Sequence, residues 1–237
     1  MEQLVLALAA PEAPRLENFL PGRNAELVGL LPSFVAGGVD VTGLLAWGAP
    51  ATGKTHLLNA AVALARTHGL AAVLITHPLE LDDAPKRARG AFYAIDRIDE
   101  ADVAAAARIF TLFNTAKEYG GRVMAASRSP LASLPLREDL RTRLGWGLVY
   151  EVQPLADDEK PAALAAYARE RGFALGADVI DYLLRHGKRD MRSLLATLEA
   201  LDRRSLAAKR PVTVPLLREW LQREIDWEKT AGGPGNA

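Results

Sequence analysis

The sequence predicts an α/β fold in which a parallel sheet carries a P-loop, followed by a small α-helical lid domain. Three observations predict it. Leu44-Leu45-Ala46-Trp47 is an apolar run that leads into Gly48-Ala49-Pro50-Ala51-Thr52-Gly53-Lys54-Thr55, a match to G-x-x-x-x-G-K-[ST], and a helical pattern follows. Short apolar strands then alternate with helices, as in a parallel sheet covered on both faces. From Pro154 onward only helical patterns remain. The expected divisions are an N-terminal tail (1–14), an α/β nucleotide-binding domain (15–155), a helical lid (156–226) and a disordered tail (227–237).

Within residues 15–42 a helix is expected near 24–35, broken by Pro32. A Gly37-Gly38 turn leads to the first strand at 43–47. The P-loop helix runs about 56–68, with Leu57, Leu58, Ala61, Leu64 and Ala65 on its apolar face, and closes at Gly69. Strands follow at 71–75 and 91–95, separated by a short polar stretch, 76–90, of mixed charge. A helix over 101–119 carries Val103, Ala106, Ala107, Phe110 and Phe113 on one face. A fourth strand, 122–126, ends in Ser127-Arg128-Ser129-Pro130 at the carboxyl edge, where open α/β sheets bind ligands. The last strand is 148–152. In the second part, Asp157 caps a helix over 158–171. Others follow at 177–186, from the Asp190 cap to about 207, and at 213–226.

Composition narrows the function. The chain has 237 residues, of which 49% are hydrophobic, enough for a sizeable core. Lys plus Arg number 29 and so do Asp plus Glu, so a globally basic nucleic-acid binder is not indicated. There is no cysteine, which excludes disulfides, thiolate zinc sites and a cysteine nucleophile. No apolar run approaches the ~20 residues of a membrane span. The run Leu4 to Ala10 has no Lys or Arg ahead of it, so a signal peptide is not expected. A cytoplasmic protein is the expectation. Pro11 and Pro14 end that run. It reads as a free end, an added edge strand, or a short peptide that docks in another protein's groove.

The P-loop carries the chemistry. Backbone N–H groups of Gly48, Ala49, Pro50's neighbours, Ala51, Thr52 and Gly53, and of the helix start at Lys54, Thr55 and His56, suit phosphate oxygens. Lys54 reaches the outer phosphates, and Thr55 offers a hydroxyl to Mg²⁺. About 40 residues on, the strand Ala91–Ile95 ends in Asp96, the Walker B pattern of a carboxylate that holds Mg²⁺ through water. A second carboxylate often follows it to activate water. Here Arg97 stands there, with Asp99 two further on, so weak or no intrinsic ATP hydrolysis is expected. Three arginines, Arg128, Arg143 and Arg192, stand where they can meet a nucleotide. An arginine supplied in trans accelerates hydrolysis by ~10³–10⁵-fold.

These features resemble the AAA+ ATPases, and within them the family of the replication initiator DnaA and its shortened regulatory branch, the Hda proteins. The resemblance spans about 3–225. It rests on Asn18-Phe19 with Gly22 and Asn24, Gly53-Lys54-Thr55-His56-Leu57-Leu58, Ile95-Asp96, Ser127-Arg128, Arg143-Leu144-Gly145-Trp146-Gly147, Gln153-Pro154-Leu155 and Asp190-Met191-Arg192-Ser193-Leu194. It implies bound ADP or ATP with Mg²⁺ at Thr55 and Asp96, Ser127 as the sensor on the fourth strand, and Arg192 as a second sensor in cis. Arg143 is implied as the finger presented to a neighbour's nucleotide. Gln3, Leu4, Leu6 and Leu8 resemble the family's sliding-clamp-binding peptide, with Ala7 where a proline is usual. The implied partners are DnaA and the sliding clamp.

The chain ends after the lid, and the stretch 76–90 is short, so direct sequence-specific DNA binding is not expected. The implied function is negative regulation of replication initiation by stimulating ATP hydrolysis on DnaA. A helicase loader or other ATP-driven remodeller, and a non-catalytic adaptor between clamp and DnaA, stay open, as does self-association into a homo-oligomer.

Overall fold

The computed structural model describes residues 13–81, 89–208 and 210–231. The chain divides between Pro154 and Leu155 into two compact units. The α/β unit runs α1 (Ala25–Ala36), β1 (Gly43–Trp47), α2 (Lys54–Thr67), β2 (Ala72–Ile75), β3 (Phe92–Ile95), α3 (Val103–Glu118), β4 (Arg122–Ser127), α4 (Glu138–Gly145) and β5 (Leu148–Glu151). Its five strands are all parallel, in the order β2-β3-β4-β1-β5. The P-loop strand β1 therefore sits between β4 and β5, and every strand delivers its carboxyl end to one edge.

Successive strand residues face opposite sides of the sheet, and the core divides accordingly. Leu44, Ala46, Phe92, Ala94, Met124 and Ala126 pack with Leu31 and Phe34 of α1 and with Leu57, Leu58 and Ala61 of α2. Leu45, Tyr93, Ile95, Val123 and Ala125 pack with Ile109, Leu112 and Phe113 of α3 and with Leu140 and Leu144 of α4. Both faces are covered, which is why the strands are near-continuously apolar.

Four local expectations are corrected. Pro32 does not break α1, which continues to Ala36. An internal proline costs about 3 kcal/mol, but burying Leu27, Leu31, Phe34 and Val35 returns ~1.5–3 kcal/mol each. Burial wins. Second, the inward face of α3 is Ala105, Ala106, Ile109, Leu112, Phe113 and Ala116. Val103 is instead 76% exposed in the first turn, because Asp102 caps the helix by accepting the Ala105 N–H at 2.7 Å and fixes where it starts. Third, α4 lies where only a connection to the last strand was expected, and it carries Arg143. Fourth, Asp157 does not cap a helix: it pairs with the Lys160 ammonium at 2.6 Å, and the helix begins at Lys160.

The helical unit comprises α5 (Lys160–Glu170), α6 (Ala177–His186), α7 (Met191–Ala208) and α8 (Val214–Ala231). Leu164, Val179, Leu183, Leu194, Leu198, Leu201 and Leu217 form its core. The Lys160 ammonium, mostly buried, also donates to the Arg189 carbonyl at 2.8 Å, tying the start of α5 to the turn before α7. Asp190 caps α7 by accepting the Ser193 N–H at 2.9 Å. α8 reaches Ala231, so residues 227–231 are helical rather than part of a tail. Among the described residues no helix is long and apolar enough to cross a membrane.

Candidate functional site

The site grows from the end of β1. Trp47 lies beside Ser127 of β4 in the sheet register, and the Gly48 N–H continues the pairing by donating to the Ser127 carbonyl at 3.2 Å. A side chain at Gly48 would put its Cβ 2.5 Å from the Val152 carbonyl oxygen, so the chain just past β5 packs too closely for any other residue. The loop then turns through Ala51 (φ +62) and Gly53 (φ +101), both left-handed, and enters α2 at Lys54. At Gly53 a Cβ would meet the Phe19 ring at 2.6 Å. Phe19 thus closes over the loop from the segment before α1.

Lys54 is 8% exposed. Its Nζ donates to the carbonyls of Gly48 and Ala49, both at 2.7 Å, and approaches Thr52 Oγ1 at 3.4 Å. Burial pushes this ammonium below the ordinary lysine value; the carboxylates of Asp96 and Asp99 pull it back up, and the Arg128 guanidinium lowers it further. A desolvated cation whose direct hydrogen-bond partners are all neutral oxygens is only partly compensated, which favours an anion at this end of the helix.

Thr55, at the second position of α2, donates its hydroxyl to Asp96 Oδ2 at 2.6 Å. Asp96 leaves the end of β3 and is 7% exposed. Its other oxygen accepts the Arg97 N–H at 2.9 Å. A hydroxyl and a carboxylate so paired suit Mg²⁺, which takes one or two protein ligands and completes its shell with waters and phosphate oxygens. Among the described residues no group of three or more His, Cys, Asp or Glu is placed to hold a metal ion. The two groups fit a phosphate-bound Mg²⁺.

Past Asp96 the chain bends sharply, with Arg97 left-handed at φ +52. A 3₁₀ turn, Ile98–Glu100, follows. The turn carries the Asp99 carboxylate toward β4, where it accepts the Arg128 N–H at 3.3 Å. Glu100 bridges Arg128 (2.9 Å) and His77 (3.0 Å). This network joins the ends of β2, β3 and β4. Its members were not assembled from sequence, because they come from three strand ends with no local spacing to reveal them. Ser127 is 1% exposed at the end of β4; its hydroxyl donates to the Ser129 carbonyl at 2.7 Å, turned inward by the loop.

His56 sits under the N-terminal segment. Its Nε2 donates to the Arg15 carbonyl at 2.9 Å, and its ring lies 5.4 Å from that of Phe19. Burial holds its pKa below the ordinary histidine value, opposed in part by the Arg15 carbonyl. The neutral ring is therefore favoured in the fold. The unfolded chain takes up the proton first as pH falls, so this group's stabilisation is complete above pH 6.5 and declines as pH drops toward the folded value. Melting curves of His56→Gln, which keeps a donor, are expected to lose less stability between pH 7.5 and 5.5 than the wild type. Asn24 exchanges two bonds with the Gln153 backbone, at 2.9 and 2.8 Å, fastening the start of α1 to the exit of β5.

The predicted arginines fall in different places. Arg128 belongs to the strand-end network. Arg143 lies near the end of α4, its guanidinium 4.8 Å from the Trp146 ring and 5.4 Å from that of Phe110. It forms no ion pair with a carboxylate among the described residues. Arg192 is an exposed residue in the first turn of α7 in the helical unit. Gln3, Leu4, Leu6 and Leu8 lie outside the described residues.

A P-loop whose Thr55 is bonded to a strand-end carboxylate, on a parallel β2-β3-β4-β1-β5 sheet, defines an AAA+ type of P-loop NTPase fold. Comparison sharpens this: residues 157–221 match the family model described as the Hda lid domain. The fold is similar to that of domain III from the Thermotoga maritima replication initiation protein DnaA, at 17% identity and a TM-score of 0.77, covering 91% of this chain and 98% of that one. It is similar to a replication initiator DnaA bound to AMPPCP and single-stranded DNA, at 20% identity and TM-score 0.69, covering 83% of this chain. This chain spans 66% of that initiator's length. The RuvB Holliday junction branch migration motor of Thermotoga maritima is also similar, at 16% identity and TM-score 0.66, with 88% of this chain and 71% of that one covered. The chain thus has an AAA+ fold, like these proteins, and residues 157–221 are similar to the Hda lid domain.

Proposed function

We propose that this protein binds ADP or ATP with Mg²⁺ at the P-loop and acts as a negative regulator of replication initiation, stimulating hydrolysis of ATP on DnaA through Arg143. The observation that carries the reading is the similarity of residues 157–221 to the Hda lid, joined to a DnaA-like P-loop core. Lys54 exchanges its loop carbonyls for phosphate oxygens, which compensate its charge better. Thr55 and Asp96 would hold Mg²⁺, which would supply neutralisation of phosphate charge. Ser127 and Arg192 serve as the sensors. Residues 3–8 tether the protein to the sliding clamp.

Arg97 gives the chain no base where a second carboxylate often stands, so the protein's own turnover is slow. Arg143 acts on a neighbour. Phosphoryl transfer is governed by positioning and electrostatics, and a guanidinium aimed at the developing charge lowers the barrier without moving a proton. Asp96→Asn is expected to lose most of the Mg²⁺-dependent gain in nucleotide affinity, a change of about tenfold, measured by titration with Mg²⁺ against EDTA.

The test of the function is ATP turnover on preloaded DnaA, with clamp loaded on DNA, in the presence and absence of this protein. Stimulation dependent on its addition supports the regulator. Rapid turnover by this protein alone, with no effect on DnaA, supports a remodelling motor instead. Clamp and DnaA binding without any stimulation supports an adaptor.

A further inference from the structure

Arg143 is held by aromatic neighbours rather than by a charged partner. It lies three residues before Trp146, the residue that caps the C-terminus of α4, so the two side chains share one side of the helix. The guanidinium rests 4.8 Å from the indole and 5.4 Å from Phe110, which α3 supplies. Trp146 is 63% exposed, although the indole is the largest apolar side chain and is usually well covered. A second cation, the Lys117 ammonium, also lies against this indole at 5.8 Å. Neither cation has a carboxylate partner among the described residues.

We propose that Trp146, with Phe110 behind it, is a positioning residue for Arg143: the indole face holds the guanidinium ordered and outward for a partner's nucleotide. The inference rests on the trans action of Arg143 proposed above. The physical need is clear. An arginine side chain carries large rotamer freedom, lost on engaging a target. A carboxylate would fix it in advance but would also neutralise the charge that has to act. An aromatic face orders the cation and leaves its charge and its N–H edge unspent. An exposed tryptophan is the residue best suited to this, because its face is the strongest of the aromatic partners for a cation. Lys117 adds positive potential beside the same ring, which favours approach of an anionic group.

The assay is turnover of ATP on preloaded DnaA at increasing concentrations of the full chain. Trp146→Ala and Trp146→Leu are expected to lower the maximal stimulated rate by about tenfold, and Trp146→Phe to restore most of it. Leucine keeps apolar bulk without a π-face, so it separates ordering by the ring from simple packing. In an Arg143→Ala background, Trp146→Ala is expected to cause no further loss, since the two act as a unit. A loss confined to the half-saturating concentration, with the maximal rate intact, would assign Trp146 to interface affinity and overturn the proposal. Equal rates for wild type and Trp146→Leu would also overturn it. If Arg143→Ala itself has no effect, the trans-arginine reading fails. If Arg143→Ala abolishes stimulation but the Trp146 variants do not reduce it, only the positioning role fails.

Discussion

Arg143→Ala is expected to remove the stimulated hydrolysis of DnaA-bound ATP, lowering its rate by ~10³-fold or more. The size follows from what a trans arginine does. It meets charge that exists only as the γ-phosphoryl group departs, so its contribution falls on the barrier rather than on binding. Arg143 sits on α4, outside the P-loop, and pairs with aromatic rings instead of carboxylates. Removing it therefore leaves no buried charge unpaired, and the fold is not expected to suffer. Arg143→Lys is expected to recover little. An ammonium is a compact point charge and lacks the planar fork of N–H groups that matches phosphate oxygens. Single-turnover kinetics on preloaded DnaA, with thermal melting as the control for folding, check both variants.

The second large effect concerns the protein's own nucleotide. Lys54→Ala is expected to weaken binding of ADP or ATP by about 100-fold, because a charge-assisted hydrogen bond in a largely desolvated site contributes up to ~3 kcal/mol. Lys54 is a demanding residue for the fold as well. It is 8% exposed and held by the Gly48 and Ala49 carbonyls. Burial already lowers its pKa, which means the charged form is tolerated rather than favoured there. Removing the charge is therefore expected to leave thermal stability near that of the wild type without nucleotide, and to abolish the rise in melting temperature that added nucleotide produces. Isothermal titration and melting with and without ADP measure the two quantities separately.

Much of this site was legible because its parts are local. Strand, loop and helix around Lys54 follow one another in sequence, and their hydrogen bonds are mostly within the loop itself. Asp96 was legible because an apolar strand that ends in a carboxylate after a P-loop has little else to do. The Thr55–Asp96 bond joins residues far apart in the chain, yet each end was marked by its own local pattern. By contrast, the strand order depends on which edges pair, and no local signal carries that. The network of His77, Asp99, Glu100 and Arg128 forms only once β2, β3 and β4 lie side by side. Residue-type patterns gave no reason to connect them.

Two departures from the sequence expectation have different causes: burial outweighs local propensity in α1, and α4 is too short and polar to leave a clear pattern. Pro32 signals a break, but α1 must cover the sheet with Leu31 and Phe34, and the helix persists through the proline. α4 was missed because it is short and polar, with only Leu140 and Leu144 buried. That i, i+4 pair, preceded by Leu136, was the available signal. The helix at 138–145, with Trp146 as its C-cap, brings Arg143 and Trp146 to one side. The N-terminal peptide rests on its residue pattern alone.

Regulation as proposed requires that this protein cause hydrolysis of another protein's nucleotide. The most direct measurement gives DnaA radiolabelled ATP and this protein unlabelled ADP, adds clamp loaded on DNA, and follows the label retained on DnaA. The expected result is conversion of DnaA-bound ATP to ADP with wild-type protein, little conversion with Arg143→Ala, and weaker conversion when residues 3–8 are replaced. Label that stays as ATP with the wild type, or that is hydrolysed equally with Arg143→Ala, would contradict it.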